Sequence, residues 1–339
     1  MKALSFFPGS NTCRGFHGYF AELLPANDMR RVYILKGGPG VGKSTLMRRV
    51  GAAWEKQGRQ VEYYWCSGDP GSLDAVVADG CMLMDGTSPH VVDPVLPGAA
   101  DGIVNLGECL DETVMAAHRQ EVIPLHRAMA RCYSRAYHYL TGAEAALRDM
   151  QEIYAQAVDQ GTLINLRMEL MQRVTGCAGR CQHLYAQAIT GEGVREHLAS
   201  VVRENTVCLD LPFGFDADCI LRPLQMHLAA KGVGHRAFMH PLDGKRQSHL
   251  ATDSWAVATF VEKGCETRTL PFDPDILQKE HESLSFNRAA HDLLLNQAID
   301  SLHAAHDLHD RLERIYADAM DYKKLDDLQG KTVQRLMKI

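Results

Sequence analysis

The sequence predicts an α/β fold built twice, in which each half has a mostly parallel sheet flanked by helices and ends in a long helical hairpin. Three observations support this prediction. A strand, a glycine-rich turn and a helix follow one another over residues 31–50, the same layout returns 174 residues later, and each copy precedes a long stretch of helical periodicity. Because 339 residues exceed what one hydrophobic core covers, we expect two domains, residues 1–174 and 182–339.

The glycine-rich turn carries the phosphate-binding pattern G-x-x-x-x-G-K-[ST] without a gap. Its glycines allow positive φ angles, so several backbone N–H groups can point into one anion-sized hollow at a helix N-terminus. Lys43 adds a positive charge for the β- and γ-phosphates, the Ser44 hydroxyl suits a Mg²⁺ ligand position, and Thr45 suits an α-phosphate contact. The predicted nucleotide-binding residues are Gly37, Gly38, Pro39, Gly40, Val41, Gly42, Lys43, Ser44 and Thr45.

A phosphate loop also needs an acidic partner at the end of a neighbouring strand, where it holds the water shell of Mg²⁺. The apolar run Cys81–Met84 ends in Asp85, which fits that position. We therefore predict a metal site formed by Ser44 and Asp85, with Lys43 and Asp85 as catalytic residues. The alternative is that Asp85 simply begins a turn with Gly86.

A second acidic candidate, Asp69, follows the predicted strand Val61–Cys66. In a small-molecule kinase, a carboxylate at this place can orient or deprotonate the acceptor hydroxyl. An ordinary turn over Asp69, Pro70 and Gly71 is an equally good interpretation. His90 lies in the proline-rich loop after Asp85 and could contact substrate, although a hydrogen-bonded loop histidine is the safer interpretation.

The second half repeats the layout of the first without its phosphate chemistry. At an offset of 174 (206 − 32), Val32 falls on Thr206, and Gly42, Lys43 and Ser44 fall on Asp216, Ala217 and Asp218. Asp85 falls on Thr259, so the metal residue is missing from the half that lost the lysine. We expect one nucleotide site, in the first half, and a second loop that repels polyphosphate. Pro223 should break or delay the helix after that second loop.

Two long stretches, 108–174 and 274–328, repeat Leu, Ala, Met and Tyr at three- and four-residue spacing. They predict amphipathic helices, with Thr141–Gly142 marking one hairpin turn. Packing on the sheets is their simplest role. A helical appendage beside a phosphate loop also suits a lid or a partner-docking surface.

Composition excludes several classes of protein. Lys plus Arg (36) against Asp plus Glu (42) gives a net charge of -6, which argues against a general nucleic-acid-binding surface. The first residues contain too short an apolar run for a signal peptide, and no later stretch has the apolar length of a membrane span. Ten scattered cysteines fit a reducing compartment. We therefore expect a cytoplasmic protein without membrane or nucleic-acid partners.

Two groups of metal-ligand residue types remain, and neither offers four convincing zinc ligands. The first is Cys177, Cys181 and His183, and the second is His303, His306 and His309. Buried thiols and a solvated histidine stripe are the expected roles of these residues.

With these residues in place, the chain resembles a family of bacterial two-domain P-loop ATPase-like proteins, described generically as ATPases or nucleotide kinases. The segments that carry the resemblance are 12–20, 37–45, 66–74 and 85–107. The resemblance implies tandem P-loop NTPase-like domains and ATP binding, without naming a substrate. It also implies a phosphate loop in both halves, and the Asp216-Ala217-Asp218 segment departs from that pattern.

Three functions follow from these features. The first is Mg²⁺-dependent ATP hydrolysis, in which Lys43 and the loop amides stabilise the β,γ-phosphates while Ser44 and Asp85 hold the metal. The second is a small-molecule or nucleotide kinase that uses Asp69 near the acceptor. The third is a nucleotide-responsive regulatory scaffold, in which the second half and the helices bind an unidentified protein partner and turnover is slow.

Overall fold

The computed structural model describes residues 3–339, so residues 1 and 2 of the predicted first domain lie outside the described part. The elements of the first half are β1 (Leu4–Phe6), β2 (Gly9–Thr12), β3 (Gly15–Gly18), β4 (Arg31–Lys36), α1 (Lys43–Lys56), β5 (Glu62–Trp65), β6 (Leu73–Ala78), β7 (Cys81–Asp85), β8 (Asp101–Asn105), α2 (Glu112–Ala117), α3 (Arg119–Ala157) and α4 (Gln160–Arg173). Those of the second half are β9 (Cys181–Leu184), β10 (Gln187–Thr190), β11 (Gly193–Glu196), β12 (Asn205–Asp210), α5 (Asp218–Ala230), β13 (His235–Met239), β14 (Gln247–Ala251), β15 (Trp255–Ala258), β16 (Glu266–Thr269), α6 (Pro274–Lys279), α7 (His281–Asp318) and α8 (Tyr322–Met337).

Each half forms one six-stranded sheet, and the two sheets have the same topology. The first has the order β1-β5-β6-β7-β4-β8, and the second has the order β9-β13-β14-β15-β12-β16. In both sheets the third strand, β6 or β14, runs antiparallel to its neighbours while the other neighbouring pairs are parallel. The structure therefore confirms the mostly parallel α/β prediction and the two similar halves.

The repeat extends to individual contacts. Val32 pairs with Met82 in the first sheet, and Thr206 pairs with Ala256 in the second, so both partners are displaced by 174 (206 − 32 and 256 − 82). In the two small hairpins, the Thr12 hydroxyl donates to Gly15 O over 2.7 Å and the Thr190 hydroxyl donates to Gly193 O over 2.8 Å. Insertions between the halves are thus confined to loops.

The two sheets pack against each other through their inner faces. One buried cluster joins Phe6, Tyr64 and Met84 of the first sheet to Leu184 and Phe238 of the second. Helices cover the outer faces: α1 and α8 on the first sheet, and α4 and α5 on the second. The predicted helices therefore flank each sheet on its outer face, while the inner face of each sheet is buried by its twin.

The two long helices, α3 and α7, pack side by side and antiparallel. Leu125 near the start of α3 meets Leu312 near the end of α7, and Leu294 contacts Gly142 further along. The predicted hairpin turn at Thr141–Gly142 is wrong, because α3 continues through it. A Cβ on Gly142 would lie 3.0 Å from Leu294, so this glycine allows close helix packing. The helical pairing thus joins the two halves instead of folding each half back on itself.

The last helix of each half packs on the other half. The Asp111 N–H donates to Ala319 O over 2.8 Å, and the equivalent Asp273 N–H donates to Ala157 O over 2.7 Å. Beyond these crossings α8 packs against α1, and α4 packs against α5. The strands β1–β8 lie within residues 3–174, the strands β9–β16 begin at Cys181, and the final helix of each half packs on the other half.

The expected effect of Pro223 is also wrong. Helix α5 begins at Asp218, one position after the equivalent start of α1, and contains Pro223. Pro223 is the sixth residue of this helix, so it removes the hydrogen bond that a backbone N–H there would donate to Cys219 O. Ile220, Leu221 and Leu224 are all buried against the second sheet, so burial holds this helix in place.

The exchanged helix α4 gives a stability prediction. Leu170 on α4 is fully buried in the core of the second sheet, whereas Met168 on the same helix is 56% exposed. We expect Leu170→Ala to lower the free energy of unfolding by about 2–5 kcal/mol and Met168→Ala to change it by about 0.5 kcal/mol or less. Urea denaturation of both variants tests this expectation. Equal losses would show that α4 is not docked on the second half.

Candidate phosphate-binding site

The glycine loop lies at the carboxyl end of β4, between the neighbouring strands β7 and β8. Gly40 and Gly42 have φ angles of 70° and 83°, which favour glycine, and α1 begins directly afterwards at Lys43. The Lys43 ammonium turns back over the loop and donates to Gly37 O over 2.8 Å and to Gly38 O over 2.7 Å. The loop between the predicted strand and helix therefore folds around the Lys43 ammonium group.

Asp85 is placed beside that ammonium group. The distance between Lys43 Nζ and Asp85 Oδ2 is 3.6 Å, and the two side chains are only 12% and 14% exposed. The other carboxylate oxygen accepts hydrogen bonds from the Thr87 N–H (2.8 Å) and hydroxyl (2.6 Å). The structure thus brings together Lys43 and Asp85 as the sequence predicted, and the same carboxylate also opens a turn.

Ser44 connects the loop to the first residue of β6. Its hydroxyl oxygen accepts a hydrogen bond from the Leu73 N–H over 3.0 Å. In the second half, Asp218 Oδ1 accepts from the Gln247 N–H over 2.9 Å, at the same position of the repeat. Both halves therefore keep a hydrogen bond from the backbone N–H of the strand to the side chain at this position. The accepting group is a hydroxyl in the first half and a carboxylate in the second. Thr45, the next predicted phosphate contact, is exposed at the surface of α1.

A carboxylate from the second half occupies the loop. The Gly40 N–H donates to Glu313 Oε1 of α7 over 3.1 Å. His309, together with this N–H and the charge of Lys43, holds the pKa of Glu313 below its ordinary value, so the group is anionic at neutral pH. The Gly40 amide therefore binds an anionic oxygen in this structure.

Two helices of the second half, α7 and α8, cover the rest of the loop. A Cβ on Gly38 would lie 2.3 Å from the Tyr316 ring of α7, so only glycine fits under this ring. From α8, the Gln329 side chain donates to Gly42 O over 3.3 Å and accepts from Arg49 over 2.8 Å. Arg49 therefore contacts α8, and Arg48 packs its guanidinium 5.1 Å from the Trp65 ring centroid.

A further carboxyl group, Asp74, lies next to this site and was missed by sequence reasoning. It occupies β6 one residue after Leu73, and Ala75 beside it pairs with Met84, which precedes Asp85. Burial raises the pKa of Asp74 to about 6, although nearby His90 opposes the shift. The repeat contained a signal for this residue, because Ser248 stands at the equivalent position (74 + 174) and the carboxyl is lost together with Lys43.

The remaining candidates lie at the edge of the site. Asp69 Oδ1 accepts from the Gly71 N–H over 3.1 Å, which is the turn interpretation that the sequence left open. His90 stacks on Phe20 with ring centroids 4.3 Å apart, and its Nε2 is 3.7 Å from Asp74 Oδ1. The structure therefore places His90 against the buried carboxyl and Asp69 in a surface turn.

The equivalent loop of the second half is built differently. Gly214 keeps a positive φ of 92°, and Met150 of α3 packs on it. Asp216 is 3.1 Å from Arg246, and Asp218 is 2.7 Å from Arg222. The repulsive field that the sequence predicted is therefore reduced by paired arginines. Beside this loop lies a cleft of about 380 Å³, whose lining includes Gln151, Arg167, Phe215, Asp216 and Arg246.

Comparisons with known proteins identify no relative: no protein-family profile matches this chain, and no curated protein or solved structure matches it significantly. Among residues 3–339, no helix combines the length and apolarity that crossing a bilayer requires. Within the same residues, no three His, Cys, Asp or Glu side chains are gathered as metal ligands. His306 and His309 instead face Asp310 and Glu313 of their own helix.

The raised pKa of Asp74 gives a testable pH dependence. Between about pH 4 and pH 6 the folded protein holds a proton that the unfolded chain has lost, so this group lowers stability as the pH rises through that range. Asp74→Asn stays neutral. Its free energy of unfolding, relative to that of the wild type, should therefore increase from pH 4.5 to pH 7 by on the order of 2 kcal/mol. Urea titrations at several pH values measure this difference, and a constant difference would contradict the assignment.

Proposed function

We propose that the first half binds ATP with Mg²⁺ through residues 37–45, at one nucleotide site per chain, and that the terminal phosphoryl group is hydrolysed or transferred there. The observation that carries this proposal is the occupied amide of Gly40, which already binds an anionic carboxylate within range of the Lys43 charge. A loop that holds one anion at a helix N-terminus has the chemistry to hold a phosphate.

The side chains around Lys43 fit a magnesium ion. Ser44 supplies a hydroxyl oxygen and Asp85 a carboxylate oxygen, which are the donor types that Mg²⁺ prefers. A bound Mg²⁺ would neutralise charge on the β- and γ-phosphates. Lys43 would add a second positive charge, and Asp85 would keep that ammonium in place through their 3.6 Å contact.

Asp74 suits a proton acceptor for the attacking water or hydroxyl group. A carboxyl whose pKa lies near 6 accepts a proton more readily than an ordinary carboxylate and is still largely ionised at pH 7. Asp74 and Asp85 lie on adjacent strands, close enough for the charge of Asp85 to act on Asp74. For the kinase alternative, Asp69 also lies close enough to Asp74 to influence its charge and would be the residue nearest an acceptor.

Polyphosphate binding requires Glu313 to leave the loop, since both anions use the same amide and the same positive charge. Tyr316 and Gln329 cover the loop from α7 and α8, so these helices must shift as well. Both helices belong to the second half. This contact favours the nucleotide-responsive regulatory function as a second candidate, because loop occupancy is coupled to the position of α7 and hence to its partner helix α3.

A cytoplasmic location is part of the proposal. All ten cysteines are free thiols, as a reducing compartment maintains them.

The nucleotide site is tested by thermal or chemical unfolding with and without MgATP. At about 100 times Kd, a ligand that binds only the folded state stabilises it by roughly 2.7 kcal/mol. We expect this increment for the wild type and for Asp216→Ala, because Asp216 lies in the second loop. Lys43→Ala should lose the increment, since the phosphates lose their main cation. An increment that survives in Lys43→Ala would place the nucleotide elsewhere.

The competition with Glu313 is tested by titration calorimetry with MgATP. Glu313→Gln keeps the size of the side chain and removes its charge, so the loop should release it more easily. We expect Kd to fall by about three- to tenfold, which corresponds to roughly 0.7–1.4 kcal/mol. Glu282→Gln, on an exposed turn at the start of the same helix, is the matched control and should leave Kd unchanged. Equal affinities for all three proteins would rule out a competing carboxylate.

A further inference from the structure

A thiol, two imidazoles and a carboxylate meet at the edge of the second sheet, outside the phosphate loop. Cys181 and His183 lie on the same face of edge strand β9, since they are two residues apart. Cys181 Sγ is 3.7 Å from His183 Nε2. The Gln225 amide nitrogen of α5 is 3.2 Å from the same sulfur and 3.1 Å from His183 Nε2. The sulfur is therefore surrounded by groups that can donate hydrogen bonds.

The first half supplies the carboxylate. Glu22 Oε2 is 3.0 Å from His183 Nδ1 and accepts the His183 backbone N–H over 2.8 Å. A carboxylate on Nδ1 orients the imidazole and favours its protonated form, so the opposite nitrogen can hold a proton toward the sulfur. The order thiol, imidazole and carboxylate is the arrangement of an activated nucleophile.

A second histidine reaches the sulfur from the neighbouring strand. His235 of β13 pairs in register with Cys181, is only 4% exposed, and interacts with the thiol. Its Nδ1 lies 2.8 Å from Val233 O, and its Nε2 has no hydrogen-bond partner among the described residues. A buried imidazole nitrogen without a partner is costly, and here it lies beside a polarizable sulfur atom.

The twin half shows that the fold does not need these residues. At an offset of 178, Cys181 and His183 correspond to Ala3 and Ser5 of the first half, and Glu22 corresponds to Ser200 of the second. At an offset of 174, His235 and Gln225 correspond to Val61 and Gly51. The backbone hydrogen bond itself is retained, because the Ser5 N–H donates to Ser200 Oγ over 2.9 Å. The same architecture therefore forms without a thiol or an imidazole.

The groups around the Cys181 sulfur favour its thiolate form. Burial opposes a charge on Cys181, but the neighbouring His183, His235 and Gln225 side chains outweigh it and lower the pKa of this thiol to about 6. The thiol and Glu22 raise the pKa of His183 to about 10. Tyr19 stacks on His183 with centroids 5.2 Å apart and has a pKa raised to about 12 by burial, so it stays neutral. Arg180 adds a positive charge near Glu22.

We propose that Cys181 is a redox modification site that reacts with hydroperoxides. The Cys181 sulfur attacks the terminal peroxide oxygen, the O–O bond breaks, and the leaving oxygen takes the proton held by His183. The sulfur is oxidised by two electrons to a sulfenic acid, and the peroxide is reduced to water or an alcohol. His183 ends neutral.

The size of the reactant follows from the surroundings of the sulfur. Cys181 is half-buried, and it lines neither the cleft beside Asp216 nor the smaller cleft beside Cys132. A peroxide needs little space, unlike an acyl or peptide substrate. The oxidised sulfur no longer carries the charge that pairs with His183, so oxidation weakens a contact between the two halves that runs through Glu22.

Site-resolved mass spectrometry of the full-length protein tests this proposal. The protein is treated with hydrogen peroxide at pH 6.5 in the presence of a sulfenic-acid trap, and the ten cysteines are compared in the same sample. Cys177 is the internal reference, because it is exposed and contact with Asp253 raises its pKa. We expect Cys181 to be trapped about tenfold faster than Cys177, after allowing for the lower nucleophilicity of a more acidic thiol.

Two variants separate the assembled cluster from a merely accessible thiol. Glu22→Gln should shift the pH midpoint of Cys181 alkylation by iodoacetamide upward and slow trapping at pH 6.5 by about threefold or more. Glu192→Gln, at a surface turn, should change neither quantity, and thermal melting checks that both variants fold. Lys43→Ala should react like the wild type, which separates this inference from the nucleotide site. Equal trapping rates at Cys181 and Cys177 would overturn the proposal, as would an unchanged pH midpoint of Cys181 alkylation in Glu22→Gln. A zinc ion that is bound by the wild type and lost in Cys181→Ser would also overturn it.

Discussion

The structure depends on the reciprocal exchange of helices between its two halves. Each sheet buries its inner face against the other sheet, so only its outer face is left for helices. Each outer face is covered by one helix of its own half, α1 or α5, and by one helix of the other half. The long helices α3 and α7 lead α4 and α8 across to these positions. Neither half can therefore bury its core alone, and side chains of the second half contact the glycine loop of the first.

The contact between Glu313 and the loop forms at the exposed residue Gly40. The Gly40 N–H donates to the Glu313 carboxylate there over 3.1 Å. Under the function that we propose, a phosphate and this carboxylate compete for one place, and the position of α7 depends on which of them is bound.

The two halves have kept one architecture and divided the chemistry. Lys43, Asp74 and Asp85 of the first half correspond to Ala217, Ser248 and Thr259 of the second, whereas Cys181, His183 and His235 correspond to Ala3, Ser5 and Val61 of the first. The backbone hydrogen bonds at both places are retained. Residues that differ between twin positions with the same backbone are those that folding does not require, and both sets carry groups able to react.

The sequence by itself determined the local features: the strand that begins at Arg31, the strand that begins at Cys81, the helix after the glycine loop, and the internal repeat. These follow from periodicity, backbone freedom and strand ends, which are properties of short segments. Only the tertiary structure decided that the sheets face each other, that α3 runs through Gly142, and that Glu313 reaches Gly40. Such contacts join residues far apart in the chain, and they depend on which apolar faces pair, which no local pattern records.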